Sequence, residues 1–108
     1  MFSRKERIPR EVLSTFHGRK AANRHFSLWI ARNGLVHNRF AAAISKKVDP
    51  RSSRRHTLKR RAVPIMKKEG PAPGYDLFLS ILPPANSLSR EEFALSLRFL
   101  LSELKAKS

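Results

Sequence analysis

The chain has 108 residues, with 23 lysines and arginines against eight aspartates and glutamates, a formal net charge of +15 and no cysteine. One domain with one modest core is expected at this length, and the missing cysteine excludes a disulfide scaffold, a thiolate metal site and cysteine nucleophilic catalysis. No run approaches 18 apolar residues, so no membrane-spanning helix is expected, and the basic first ten residues lack the apolar stretch of a secretory signal.

Residues 8–16 read as a short helix. Pro9 suits its first turn, Glu11 its dipole and Gly18 its C-terminal cap, with Val12, Leu13 and Phe16 on one face. Residues 23–31 alternate, with Phe26, Leu28 and Ile30 pointing one way and Ser27, Trp29 and Ala31 the other. Residues 39–45 alternate too, Phe40, Ala42 and Ile44 against Ala41, Ala43 and Ser45. Asn33-Gly34 marks a turn between them, so the two strands are expected to form a hairpin. A helix start follows at 49–53, with Pro50 in place and a serine able to cap; the helix is expected to run from 54 to 63 and to end or kink at Pro64. After a Gly- and Pro-rich loop at 70–74, residues 75–82 form a nearly continuous apolar strand of the kind buried on both faces, stopped by Pro83-Pro84. Ser89 with Glu92 three residues on is a capping box, opening a helix in which Phe93, Leu97, Leu100, Leu101 and Leu104 keep helical spacing. The expected fold is a single-domain α/β (α+β) sandwich over residues 1–108. Its order is helix, strand, strand, basic helix, strand, helix, on one small sheet.

The charge is unevenly placed. Residues 46–68 carry ten cations and one acid, Asp49, a local net of +9, whereas 77–108 is nearly balanced. A solvated face does not require one sign, and self-repulsion would favour mixed charges unless a partner supplies the anions. Because 41% of the residues are hydrophobic, the chain can fold despite its charge. A polyanionic partner, nucleic acid before anionic membrane, is therefore expected. On the basic helix, Arg55, His56, Lys59 and Arg60 share an arc of roughly 140°. Leu58, Ala62 and Ile65 lie on another arc, towards the sheet. Arginine forks match phosphate oxygens and lysines act as point charges. The four histidines, His17, His25, His37 and His56, are scattered without metal-ligand spacing, and no pair of acids suggests a two-metal site.

These segments together resemble the bacterial ribonuclease P protein component, over almost the whole chain. Ala22-Asn23-Arg24-His25-Phe26 followed by Leu28-Trp29 resembles the family's first strand. Residues 39–48 resemble its second strand, closing on the signature Ser45-Lys46-Lys47-Val48. Arg55-His56-Thr57-Leu58-Lys59-Arg60-Arg61 resembles its arginine-rich helix. Tyr75-Asp76 before an apolar run, and Ser89-Arg90-Glu91-Glu92-Phe93 opening the last helix, complete the series. The chain departs from the family pattern at His56 and Thr57, where asparagine and arginine are usual. It also has Asp49 for a glycine, Val12 for an aromatic residue, Pro64 within the helix, and one extra residue between Val48 and Arg55.

The resemblance implies the accessory protein subunit of a cytoplasmic, bacterial ribonucleoprotein endonuclease, which hydrolyses the 5′ leader from precursor tRNA. The RNA subunit is then the catalyst, with magnesium held mainly by RNA and none bound by the protein alone. No catalytic side chain and no metal ligand are expected in this chain. The implied partners are ribonuclease P RNA and precursor tRNA, with no membrane and no obligate protein partner evident. RNA-binding candidates are Lys46, Lys47, Arg51, Arg54, Arg55, His56, Lys59, Arg60 and Arg61. A leader-binding cleft between the first helix and the open sheet face would use Phe16, Ser27, Trp29, Ala43 and Ser45. Small side chains there leave room for an RNA strand, and an aromatic ring gives a base a stacking surface. The resemblance also implies a left-handed crossover through the basic helix, against the usual right-handed rule. The alternative is a ribosomal or other structured-RNA binding protein without a processing role. A membrane-surface module fits less well, because the basic helix lacks a broad exposed apolar face. A DNA-binding regulator fits less well for want of a helix-turn-helix pairing.

Overall fold

The computed structural model describes residues 4–14 and 16–107. Its elements are α1 (Arg10–Ser14), β1 (Arg19–Ala22), β2 (Phe26–Arg32), β3 (Arg39–Ile44), α2 (Ser52–Glu69), β4 (Tyr75–Ile81) and α3 (Arg90–Lys107), with single 3-10 turns at Arg4–Glu6 and Pro83–Ser87. The four strands form one mixed sheet in the order β1-β2-β4-β3. β2 pairs antiparallel with both β1 and β4, while β3 runs parallel to β4 and reaches it through α2.

The period-2 pattern assigns the faces correctly. Phe26, Leu28 and Ile30 of β2, Phe40 of β3 and Leu77, Leu79 and Ile81 of β4 are buried in one cluster with Leu58, Ala62 and Met66 of α2. Phe93, Leu97, Leu100, Leu101 and Leu104 of α3 complete that cluster. Phe93 meets Phe26 edge-on, with ring centroids 5.0 Å apart. The capping box forms as the sequence requires: Glu92 accepts from the Ser89 backbone N–H at 2.9 Å, and the Glu92 N–H donates to Ser89 Oγ at 3.1 Å.

The expected hairpin does not form. β2 and β3 both flank β4, whose Leu77, Leu79 and Ile81 are buried between them. The two strands thus lie two spacings apart, about 10 Å, and residues 33–38 bridge that gap. Asn33 still turns the chain, accepting the Leu35 N–H at 2.8 Å, and Gly34 has φ +72°. Its side-chain amide, however, donates to Asp76 of β4 at 2.9 Å, so the turn is tied to the inserted strand. Nor is β4 buried on both faces: Phe78 and Ser80 are only half-buried.

Other boundaries moved for local reasons. The first helix ends at Ser14, short of the expected 8–16, and Thr15 lies outside the described residues. Ile8 instead donates its N–H to the Phe40 carbonyl at 3.2 Å. Gly18 is not a helix cap; a Cβ there would lie 2.3 Å from the Ile30 carbonyl oxygen. Gly18→Ala should therefore destabilise the fold by about 1–3 kcal/mol in urea unfolding, because backbone must move to admit the methyl. Strand β1 escaped the pattern because Arg-Lys-Ala-Ala has little intrinsic strand preference, and its lysine suits a sheet edge.

The basic helix starts at Ser52, earlier than the expected 54, and no serine caps it; Arg51 is the N-cap residue and makes no side-chain cap bond. It also runs past the expected end, through Pro64 to Glu69. Pro64 stands exposed, so the hydrogen bond it forgoes and the crowding of its ring against the preceding turn fall on the solvent side. Beyond it, fully buried Met66 and the Lys67–Glu6 ion pair at 3.1 Å hold the last turns.

Candidate nucleic-acid interface

The cations gather around the start of α2, but they do different work. Asp49 is buried and takes the Arg51 N–H at 2.8 Å and the Arg51 guanidinium at 3.0 and 2.9 Å. With a further bond from the Asn86 amide at 3.1 Å, these donors hold its carboxyl well below the usual carboxylate range. Arg54 donates to Asn86 Oδ1 and to its carbonyl, at 2.8 and 3.1 Å, and Arg55 reaches the carbonyls of Asp49 and Pro50, both at 2.9 Å. Arg54, with the Asn86–Asp49 bond, thus ties the helix start to the 3-10 turn after β4, while Arg51 and Arg55 brace Asp49 and Pro50 just before the helix. Asn86, the hub of that clamp, carried no sequence signal.

Lys46 and Lys47 stand exposed in the turn between β3 and α2, and His56 and Arg60 are exposed on the helix, with Lys59 half-buried beside them. Arg61 lies on the flank towards α3, lining a groove with Thr57, Arg60 and Arg90. The nine expected residues therefore make up a basic segment that runs from the turn before α2 into its third turn. Its exposed portion is Lys46, Lys47, His56 and Arg60, with Arg51 also exposed though paired to Asp49.

The opposite face of the sheet is built in rows. Register places Lys20, Trp29, Phe78 and Ala41 in one row and Ala22, Ser27, Ser80 and Ala43 in the next. Lys20 lies 5.1 Å over the Trp29 ring, Trp29 meets Phe78 at 5.5 Å, and Phe16 meets Phe78 at 6.4 Å. Leu13, Phe16, Trp29 and Phe78 line a shallow apolar pocket of about 210 Å³. Of the expected cleft residues, Phe16 and Trp29 line this pocket, and Ser27 and Ala43 form part of the adjoining row. Ser45 lies past the end of β3, exposed beside Lys46. The sequence reading missed Phe78 and Ser80, whose alternation with Leu77, Leu79 and Ile81 was masked by the apolar character of β4.

At the far end of this face, Arg39 and Asp76 form a two-pronged ion pair, both bonds 2.8 Å, with the Asp76 side chain 4% exposed. Among the described residues no group of three or more His, Cys, Asp or Glu could hold a metal ion. Nor, among the described residues, is any helix long and apolar enough to cross a membrane.

A charged helix on one side of a sheet and an aromatic and small-residue face on the other are features that many folds could carry. The Ribonuclease P family model matches residues 7–105. The chain belongs to the Ribonuclease P family. No curated protein sequence matches it significantly. In structure, this Ribonuclease P chain is similar to the Staphylococcus aureus RNase P protein, with TM-score 0.81 and 23% identity over 93% of this chain and 95% of that one. A mutant of the S. aureus protein with defective mRNA degradation activity gives TM-score 0.82 and 21% identity, covering 94% of this chain and 89% of that one. The RNase P protein from Thermotoga maritima gives TM-score 0.72 and 22% identity, covering 95% and 97%. Family membership implies partnership with ribonuclease P RNA and a part in tRNA processing.

Proposed function

We propose that the chain is the accessory protein subunit of ribonuclease P, which docks on the RNA subunit through the start of α2 and guides the 5′ leader of precursor tRNA across the open sheet face. The observation that carries this is the two-sided layout. Cations ring the start of α2, and a row of Lys20, Trp29, Phe78 and Ala41 is left uncovered by the helices that make the core. Phosphates neutralised by Lys46, Lys47, Lys59 and Arg60 fix position and orientation without reading sequence. On the other face, Trp29 offers a base a stacking surface, Lys20 is near enough to meet its phosphate, and Ala41, Ala43 and Ser80 leave space for the strand. Magnesium in this reading would be held by the RNA and would supply Lewis-acid chemistry there. This chain's residues bind and orient.

Reconstitution with a ribonuclease P RNA at low magnesium tests the proposal. Adding the chain should raise the rate of 5′ leader removal; RNA binding without any stimulation would point to a structured-RNA binder with no processing role. Within that assay, Trp29→Ala should weaken precursor tRNA by about 1–3 kcal/mol, the worth of one stacked base, and leave mature tRNA unchanged. Equal losses for both would place Trp29 in the core.

A further inference from the structure

The side of α3 that faces away from the core carries Leu95 and Phe99, exposed at 64% and 65%. Phe93, Leu97, Leu100, Leu101 and Leu104 are buried on the inner side, so at about 100° per residue Leu95 and Phe99 point almost directly outward. One turn before Leu95 stands Glu91, and one turn after Phe99 stands Glu103. Glu91, Leu95, Phe99 and Glu103 follow each other at the spacing of a single i±4n ridge. The ridge reads acid, apolar, apolar, acid.

Its charge runs against that of the chain. Of the eight acids in a protein of net charge +15, Glu6, Asp49, Glu69 and Asp76 are each paired with a lysine or arginine. Glu91 and Glu103 make no ion pair among the described residues. Glu92, exposed beside Leu95, is engaged with Ser89, and Arg98 beside Phe99 turns to Glu69 of α2 at 3.8 Å. Carboxylates in these places repel RNA phosphates and anionic lipid alike. They also oppose a second copy: two α3 helices packed antiparallel through Leu95 and Phe99 set Glu91 and Glu92 of each level with Glu103 of the other. At physiological salt, screening over about 8 Å leaves the local acids, rather than the distant surplus of cations, to set the sign here.

We propose that this ridge docks an amphipathic helix of another protein, one with an apolar pair at its centre and a lysine or arginine towards each end, about 18 Å apart along its axis. The apolar pair packs ridge into groove against Leu95 and Phe99. The two cations meet Glu91 and Glu103 at the rim, where they fix orientation and reject wrong partners more than they add affinity. The proposal is independent of the RNA-docking reading, because the ridge contains none of the residues assigned to RNA.

A labelled helical peptide of the pattern Lys-x-x-x-Leu-x-x-x-Leu-x-x-x-Lys, with alanine and glutamine at x, tests this by fluorescence anisotropy against the protein alone. Saturable binding is expected, and Phe99→Ser should weaken it about tenfold or more. Leu95→Ser should act in the same direction. Both side chains are exposed, so the urea midpoints of these variants should stay close to that of the unaltered protein. Glu91→Lys with Glu103→Lys should weaken the lysine peptide about tenfold. It should also create a site for the same peptide with glutamate in place of lysine, a site that adding Phe99→Ser removes. Absence of binding, or binding that survives Phe99→Ser, overturns the proposal. Affinity for ribonuclease P RNA should be the same with and without Phe99→Ser; a loss there makes the ridge an RNA contact instead. A dimer in sedimentation that Phe99→Ser abolishes makes a second copy the occupant, and likewise overturns it.

Discussion

Replacing Lys46, Lys47, Lys59 and Arg60 together by alanine should flatten the salt dependence of binding to ribonuclease P RNA. Each neutralised phosphate contributes a slope of roughly 0.7–0.9 in log affinity against log salt, so four contacts account for about 3. Over a fourfold rise in salt, the unaltered protein should therefore lose about 60-fold more affinity than the variant. These four are chosen because they are not used in the clamp on Asp49 and Asn86, so their loss should leave the unfolding midpoint nearly unchanged. Arg54→Ala is the contrasting case: it removes both bonds to Asn86 and should lower stability as well. Filter binding across a salt series measures the slopes, and identical slopes for the two proteins would remove α2 from the RNA contact.

Asp76→Ala should lower the free energy of unfolding by about 3–5 kcal/mol, the cost of leaving one member of a buried ion pair alone. The Arg39 side chain is 17% exposed and makes both of its 2.8 Å bonds to this carboxylate, and Asn33 loses an acceptor at the same time. For a domain of this size, with a total of about 5–16 kcal/mol, that is a large share. Replacing both partners with apolar residues of similar volume, Arg39→Met with Asp76→Leu, should recover most of the loss, since no charge is then left buried. Urea denaturation of the two variants gives the comparison. A cost for Asp76→Ala below about 1 kcal/mol would mark the pair as no stronger than a surface one.

The ion pair also shows where sequence reading stopped. Arg39 opens β3 and Asp76 sits second in β4, 37 residues on, opposite it in the parallel register. Nothing local to either residue announces the other. The same holds for Asn86, whose amide and carbonyl meet Asp49 and Arg54 only because the 3-10 turn after β4 folds back onto the start of α2. Face assignments fared better. Trp29 and Ala41 do share a face, although the hairpin assumed for them is replaced by an intervening strand. Inserting Phe78 between them preserves the row, because laterally aligned residues keep one face however many strands separate them. For the same reason the stacking surface was legible as a direction but not as a complete set.

Length, charge and two periodicities sufficed to determine much of this protein. The +15 concentrates around one helix because ten cations fall within 46–68. The core of α3 follows from leucines and a phenylalanine at helical spacing, and its start from a capping box, since these are contacts within one or two turns. Strand order, the continuation of α2 past Pro64, and the division of its arginines into clamp and exposed charge were decided only in the tertiary structure. Each depends on what a segment meets from far along the chain. β4 pairs with both β2 and β3 and so separates them, Met66 and Lys67 find partners that outweigh the hydrogen bond Pro64 forgoes, and Asp49 and Asn86 engage the three arginines within their reach. The chain's surplus charge is therefore partly spent on its own architecture, and what remains exposed is the part left to meet an RNA.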